Sequence, residues 1–386
     1  MTSPAQKGFS LVELMVAVTL SLLLVAAMIT LYLNVSRSNQ EMAKTNSQIE
    51  NGRFAIQVIE HDLEHAGFWG DYVPAFDDLT AAPETPPGDA PTALPAPCTN
   101  YASWPTTPAY KHNLLGIAAQ LYDSVPSGCA TLLKNKQPDT DILLVRHAAM
   151  CAVGDADCAT ATAGELYFQV SRCPADAEKF VLDTDAAKFI LRKRNCTLSA
   201  GADPHDGYAE KRKFVSNIYY VRDYGVAAGD GIPTLMRASF YLSGTSLAPQ
   251  TPEPIIGGIQ GFRVELGIDD VSDDGSNIIA AANSALKYDA AIKWDDPAHH
   301  ISAANRGDGV PDVYVRPPLT LAQNTHVVAA KIYVLARTDE PTPDYTDTKI
   351  YTLGSATLGP FNDHYKRHVF MTTVRLNNIA GRRETP

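Results

Sequence analysis

The order of apolar and polar residues divides the chain into unequal stretches. From Phe9 to Leu33, within KGFSLVELMVAVTLSLLLVAAMITLYL, almost every position is apolar and Glu13 is the one charged residue. A membrane-spanning helix needs about 20 mostly apolar residues, and this run reaches that length with room for tilt. The pattern then changes: Val35, Met42, Ile49, Ile56 and Leu63 recur every seventh residue, with Ile59 filling the same face, and no proline interrupts Phe9 to Val73. One helix is therefore predicted to run on beyond the membrane, with an apolar stripe turned toward a packing partner. The positions flanking the stripe carry no clear charge code for a coiled coil. The far half of the helix is thus expected to dock on the chain's own globular head, the near half to face other chains, and the helix to stop near Gly67 and Gly70.

Pro74 to Pro108 is rich in Pro, Ala and Thr around Pro86-Pro87-Gly88 and reads as a long loop or excursion. From Asp141 on, short runs of β-branched and aromatic residues alternate with turns: ILLVRH, ELYFQV, KFVL, KFILRK, FVSNIYYVRDYG, TLMRASFYL, IQGFRVELGI, VVAAKIYVLART and HVFMTTVRL. These predict antiparallel strands. The fold class expected is α+β, divided as residues 1–8, a short polar leader; 9–33, a transmembrane helix; 34–70, its continuation; 71–138, a Pro-rich excursion; and 139–386, a β-rich head.

Composition narrows the class of function. The chain has 386 residues, 45% hydrophobic and 19% charged, enough for a sizeable core, and a net charge of −11 argues against a generally basic nucleic-acid surface. All six cysteines, Cys98, Cys129, Cys151, Cys158, Cys173 and Cys196, lie beyond the apolar helix, as expected on the oxidising side of a membrane. Spacing alone leaves the connectivity open. The pairing expected is Cys98 with Cys129, Cys151 with Cys158 and Cys173 with Cys196, with buried free thiols as the alternative. No pair has the short spacing of a structural zinc site. No nucleophile elbow, phosphate loop or dinucleotide fingerprint is present, and the chain is not expected to be an enzyme.

Glu13 needs a reason, because an acid in hydrocarbon costs roughly 2.5–3.5 kcal/mol on insertion scales and is usually paired, interfacial or functional. The flanking residues supply one. The leader MTSPAQKG ends in Lys7-Gly8, and Phe9-Ser10-Leu11-Val12-Glu13 follows. Gly8 to Glu13 resembles the type IV prepilin signal, in which a leader peptidase cuts after the glycine and the new N-terminal amine is methylated. The resemblance implies cleavage between Gly8 and Phe9, methylation of Phe9, and Glu13 as the acid that pairs with an N-terminal amine, usually a neighbouring subunit's, during assembly. It also implies a pilin-like architecture. Many major pilins carry a proline in the membrane half of this helix; its absence here speaks against local melting.

Later segments resemble the minor pilins of the PilW family: Ile218-Tyr219-Tyr220-Val221, Leu235 to Arg237, Gly258 to Asp269, VVAAKIYVLAR and a closing YKRHVFMTTVRLNN. The implied function is a subunit that joins other minor pilins and the assembly platform in a priming or tip complex, serving twitching motility, adhesion or DNA uptake. The implied location is the inner membrane with a periplasmic head, then the pilus. The pseudopilin J of type II secretion and a tip adhesin are the alternatives. No direct nucleic-acid site is evident.

Two further patterns concern metals. His61-Asp62-Leu63-Glu64-His65 fits the pattern of inverted zinc proteases, but no third ligand is identifiable and Leu63 belongs to the apolar stripe; a solvated helix end is the plainer reading. Asp270 and Asp274, with Asp308 and Asp312, lie in acidic, glycine-bearing loops suited to calcium, although the spacing of a full calcium loop is broken and solvated turns are the stronger expectation. No cofactor is expected, with calcium the one candidate ion.

Overall fold

A computed structural model describes residue 8 and residues 10–77, 88–197, 207–271, 277 and 307–384. Its first element, α1 (Leu11–Glu64), is a single helix of 54 residues, roughly 80 Å long at ~1.5 Å per residue. The buried residues of α1 are Gln48, Gly52, Ala55, Ile56, Ile59, Asp62 and Leu63, a run of three- and four-residue steps that forms one face. The seven-residue stripe joins this face only gradually. Val35 and Met42 are 50% and 55% exposed, whereas Ile56 is 8% exposed and Leu63 is fully buried. A seven-residue repeat drifts about 20° around a straight helix with each heptad, so the stripe begins beside the head and rotates beneath it.

Beyond α1 the chain forms α2 (Pro108–Gly116), β1 (Ala119–Tyr122), β2 (Ile142–Ala152), β3 (Tyr167–Val170), β4 (Phe180–Asp183), β5 (Lys211–Arg222), β6 (Thr234–Ser243), β7 (Ser246–Pro249), β8 (Glu253–Gly257) and β9 (Ile259–Ile268). Then follow β10 (Val313–Val315), α3 (Leu321–Thr325), β11 (Val327–Arg337), β12 (Tyr351–Leu353), β13 (Ala356–Leu358), β14 (Arg367–Arg375) and α4 (Asn377–Ala380). The larger sheet has eight strands built around β5, which pairs with β2 along one edge and with β3 and then β6 along the other. The smaller sheet runs β10-β9-β11-β14, antiparallel throughout. The far half of α1 packs against β14 and β11, with β8 and β9 alongside. A shared core lies among Ile56, Ile59 and Leu63 of α1, Val264, Leu266, Ile332 and Val334 of the smaller sheet, and Leu143, Val145 and Val221 of the larger one. A second core is aromatic, gathering Trp69, Phe168, Phe214 and Phe240.

The α+β architecture expected from the sequence is present, with two departures in detail. KFILRK, read as a strand, is instead a 3-10 turn at Ala186–Lys188 followed by one isolated bridge, Arg192 to Tyr208. Its amides find mixed partners rather than a strand ladder: the Phe189 N–H donates to the Ala186 carbonyl, the Leu191 N–H to the Gln169 side chain at 3.1 Å, the Arg192 N–H to Asp176 at 2.9 Å, and the Lys193 N–H to the Gly207 carbonyl. The stretch 71–138 is more than an excursion, because it supplies α2 and the edge strand β1, which pairs with Leu143 and its neighbours on β2.

Three disulfides join Cys98 to Cys129, Cys151 to Cys158 and Cys173 to Cys196, the pairing expected from the sequence. All three brace the larger sheet and its loops. Where α1 crosses β14, a Cβ on Gly52 would fall 2.3 Å from the Phe370 ring, so only glycine lets helix and strand approach this closely.

Candidate assembly site

Leu11 to Leu33 of α1 are exposed along their whole length, and this segment is long and apolar enough to cross a membrane. Its serine and threonine hydroxyls are already satisfied within the helix. Thr19, Ser21 and Thr30 donate to the carbonyls of Met15, Ala17 and Ala26 at 3.0, 2.8 and 2.9 Å, which suits them to a medium that offers no other partner.

Ser10 and Glu13 form a reciprocal cap at the helix start. The Ser10 hydroxyl accepts the Glu13 N–H at 3.2 Å, and the Glu13 carboxylate accepts the Ser10 N–H at 3.0 Å through Oε2. Two amides that the first turn leaves unbonded are thereby satisfied, and the acid sits at the positive end of the helix dipole. The signal for this cap is the S-x-x-E spacing of Ser10 and Glu13, which lies within the same residues that resemble the cleavage motif. Glu13 therefore has a structural partner within its own chain before any second subunit arrives. Gly8 is exposed, with no atom within 4 Å of where a Cβ would lie; Phe9 lies outside the described residues.

The head latches onto α1 eight residues beyond the apolar half, which ends at Leu33. Glu41 accepts from Lys366 at 2.7 Å, Thr342 at 2.8 Å and Lys44 at 3.4 Å. The Lys366 ammonium, helped by Thr342 and Lys44 against burial, pulls the Glu41 carboxyl down to about 2. Gln48 adds a buried bond to the Ala336 carbonyl at 2.7 Å. Neither residue stands out in the sequence, because a polar side chain on a helix reveals its partner only when strands far along the chain reach it.

The other predicted residues have structural surroundings. His61 and His65 pack edge to face with centroids 4.6 Å apart, and His65 Nδ1 lies 2.6 Å from the His61 carbonyl. The helix end is only partly a solvated face: Asp62 is buried, accepts from the Asn217 amide at 3.1 Å, and lies 2.9 Å from His147 Nε2. These contacts tie α1 to β2 and β5. Of the acidic loops, Asp274 lies outside the described residues. Asp312 accepts the Asp270 and Val271 amides, each at 2.9 Å, and Asp308 accepts the Val310 amide at 2.8 Å. Among the described residues no group of three or more His, Cys, Asp or Glu could hold a metal ion.

At the far end of the chain, Arg383 is buried and donates to Asp77 at 2.9 Å, to Asp269 at 3.4 Å and to the Thr325 carbonyl at 3.0 Å. Asn378 donates to the carbonyls of Glu64 and Ala66, capping the end of α1.

Residues 3–29 match the family model for the prokaryotic N-terminal methylation motif, and residues 218–378 match that for type IV pilus-assembly protein W. No curated protein matches the chain. Among solved structures, the type IV-like pilin TTHA1219 from Thermus thermophilus is similar at 14% identity over 68% of this chain and 84% of its own, with a TM-score of 0.25. The methylation motif lies at the start of the long apolar helix, and the second match takes in the smaller sheet on which that helix docks; over residues 218–378 the chain is similar to the type IV pilus-assembly protein W family, and at its start to proteins with the N-terminal methylation motif.

Proposed function

We propose that this chain is a minor pilin that joins other minor pilins in a priming or tip complex that initiates type IV pilus assembly, supporting twitching motility, adhesion or DNA uptake. The observation that carries this reading is the uncovered half of α1: Leu11 to Leu33 has no packing partner among the described residues of its own head, and Glu13 stands at the end farthest from that head. Such a surface calls for lipid first and for other helices of its kind afterwards. On this reading residues 1–8 are a leader, prepilin peptidase cuts between Gly8 and Phe9, and the Phe9 amine is methylated. The head waits in the periplasm on an inner-membrane helix until the assembly platform moves the subunit into the pilus. One Glu13 oxygen holds the cap while the carboxylate meets a neighbour's N-terminal amine.

Deletion of the gene, with complementation by the wild type, tests the role. Loss of surface pili and of minor-pilin co-purification is the expected result. Normally piliated cells that fail only to adhere would replace the initiator by an adhesin.

A further inference from the structure

Between the 3-10 turn Tyr101–Ser103, the loop that contains Ala163 and Gly164, and the β6–β7 hairpin lies a cleft of about 460 Å³, within the ~300–1,000 Å³ range of small-molecule sites. Its polar lining comes from Asn100, Tyr101, Thr184, Thr245 and Ser246, with Leu242 among its apolar walls, and among the described residues no charged side chain lines it. In a chain with 32 Lys and Arg and 43 Asp and Glu, that composition is selective. Two other hollows on the same lobe are each lined by charges of both signs, Lys211 and Glu210 in one and Lys188 and Asp183 in the other.

The walls are held in place independently of any ligand. Tyr101 meets the Trp104 ring at 5.2 Å, tilted by 59°, and its hydroxyl is bonded to Thr184. Cys98, two residues before Asn100, is fastened to Cys129. β6 and β7 are paired up to Ser243 and Ser246, leaving a two-residue turn in which Gly244 takes a φ of +60°, a conformation glycine adopts without strain. A rigid site loses less on binding than one that must first be ordered.

The lining decides the ligand class. An ion would enter without a counter-charge, and a purely apolar molecule would strip water from hydroxyl and amide groups without replacing it. Threonine and serine hydroxyls both donate and accept, as asparagine does through its two ends. The face of the tyrosine ring is electron-rich and attracts polarised C–H groups. A sugar offers both complements, hydroxyls around its rim and C–H bonds on its face. We infer that this cleft binds a neutral saccharide of one or two rings. The inference is independent of the assembly role, since none of these residues belongs to α1.

Full-length protein in lipid nanodiscs, which avoids sugar-based detergents, is the material for the test, with methyl α-mannoside, methyl β-galactoside and N-acetylglucosamine as probes and saturation-transfer NMR as the readout. At least one probe should receive saturation on its ring protons. Tyr101→Ala should weaken its binding about fivefold, the worth of an aromatic contact, and Tyr101→Phe should retain most of it. Thr245→Val, at an exposed turn where folding is not at stake, should weaken it too, and Ile190→Ser in a neighbouring hollow should leave it unchanged. No transfer to any of the three probes, transfer indifferent to both Tyr101→Ala and Thr245→Val, or stronger binding of glucuronate than of the neutral sugars would overturn the assignment.

Discussion

At the scale of single residues, Glu13 closes the helix cap, and substitution can separate that role from the pairing with a neighbour's amine proposed above. Glutamine closes a helix cap as glutamate does but carries no charge. Glu13→Gln should therefore preserve the helix start and membrane retention while abolishing minor-pilin co-purification, and Glu13→Val should also lose the carboxylate half of the cap, with Ser10 still accepting the backbone N–H, at a cost of about 0.5–1.5 kcal/mol to the first turn. Membrane fractionation and co-purification read the two effects; a Gln variant that assembles normally would leave Glu13 with the cap alone. Gly52 offers a test of packing. Adding even a methyl group places it on the Phe370 ring, and overpacking of this kind costs roughly 1–3 kcal/mol. Gly52→Ala should lower the melting temperature, and Phe370→Leu in the same chain should restore part of the loss.

At the scale of elements, the end of the chain fastens the end of α1. Arg383 joins Asp77 and Asp269 in the interior, and removing one partner from a buried ion pair costs roughly 3–5 kcal/mol because the others stay buried. Arg383→Ala should cost that much in denaturant unfolding. Burial, opposed by Arg383, raises the Asp269 carboxyl from 3.8 to about 6. The folded chain then holds this proton more firmly than the unfolded chain does, so the contribution is fully present below about 3.8 and is lost as pH rises through about 6. Asp269→Asn should flatten the stability profile between those values. Glu41 has the opposite sign: held down at about 2, it contributes above its ordinary value of 4.5 and loses that contribution as pH falls through about 2. Glu41→Gln should lower stability throughout the range above about 4.5 and flatten the acid limb between about 4.5 and about 2. None of these long-range pairs was legible in the sequence, because Asp77 and Arg383 are 306 residues apart. What could be read were periodic patterns: the long helix, and strands such as β5, β9 and β11 whose runs of Val, Ile and Tyr exceed a single turn of chain. The short edge strands β1, β7, β10, β12 and β13, of three or four residues each, hold too few positions to show a period. KFILRK had the composition of a strand but found its hydrogen bonds in a turn, in the side chains of Gln169 and Asp176, and in one backbone carbonyl at Gly207.

At the scale of the whole molecule, covalent bracing is confined to one lobe. The disulfides lie between Cys98 and Cys196, outside the residues 218–378 that match the family model, and loss of a native disulfide typically costs about 2–5 kcal/mol. Reduction should therefore accelerate hydrogen exchange first in β2, β3 and β4 and leave β9, β11 and the far half of α1 protected; uniform loss of protection would mean that the two sheets unfold as one unit. The continuity of α1 has a mechanical consequence. Long helices bend sharply at proline, at glycine pairs or at inserted bulges. The one glycine within α1, Gly52, is pinned under Phe370, and the head grips the rod from Glu41 onward. Between that grip and Glu13 there is no joint that could absorb displacement. Any force that lifts the head along the axis draws the anchor out of the lipid by the same distance, so the work of extraction is delivered directly to the carboxylate at the rod's inner tip.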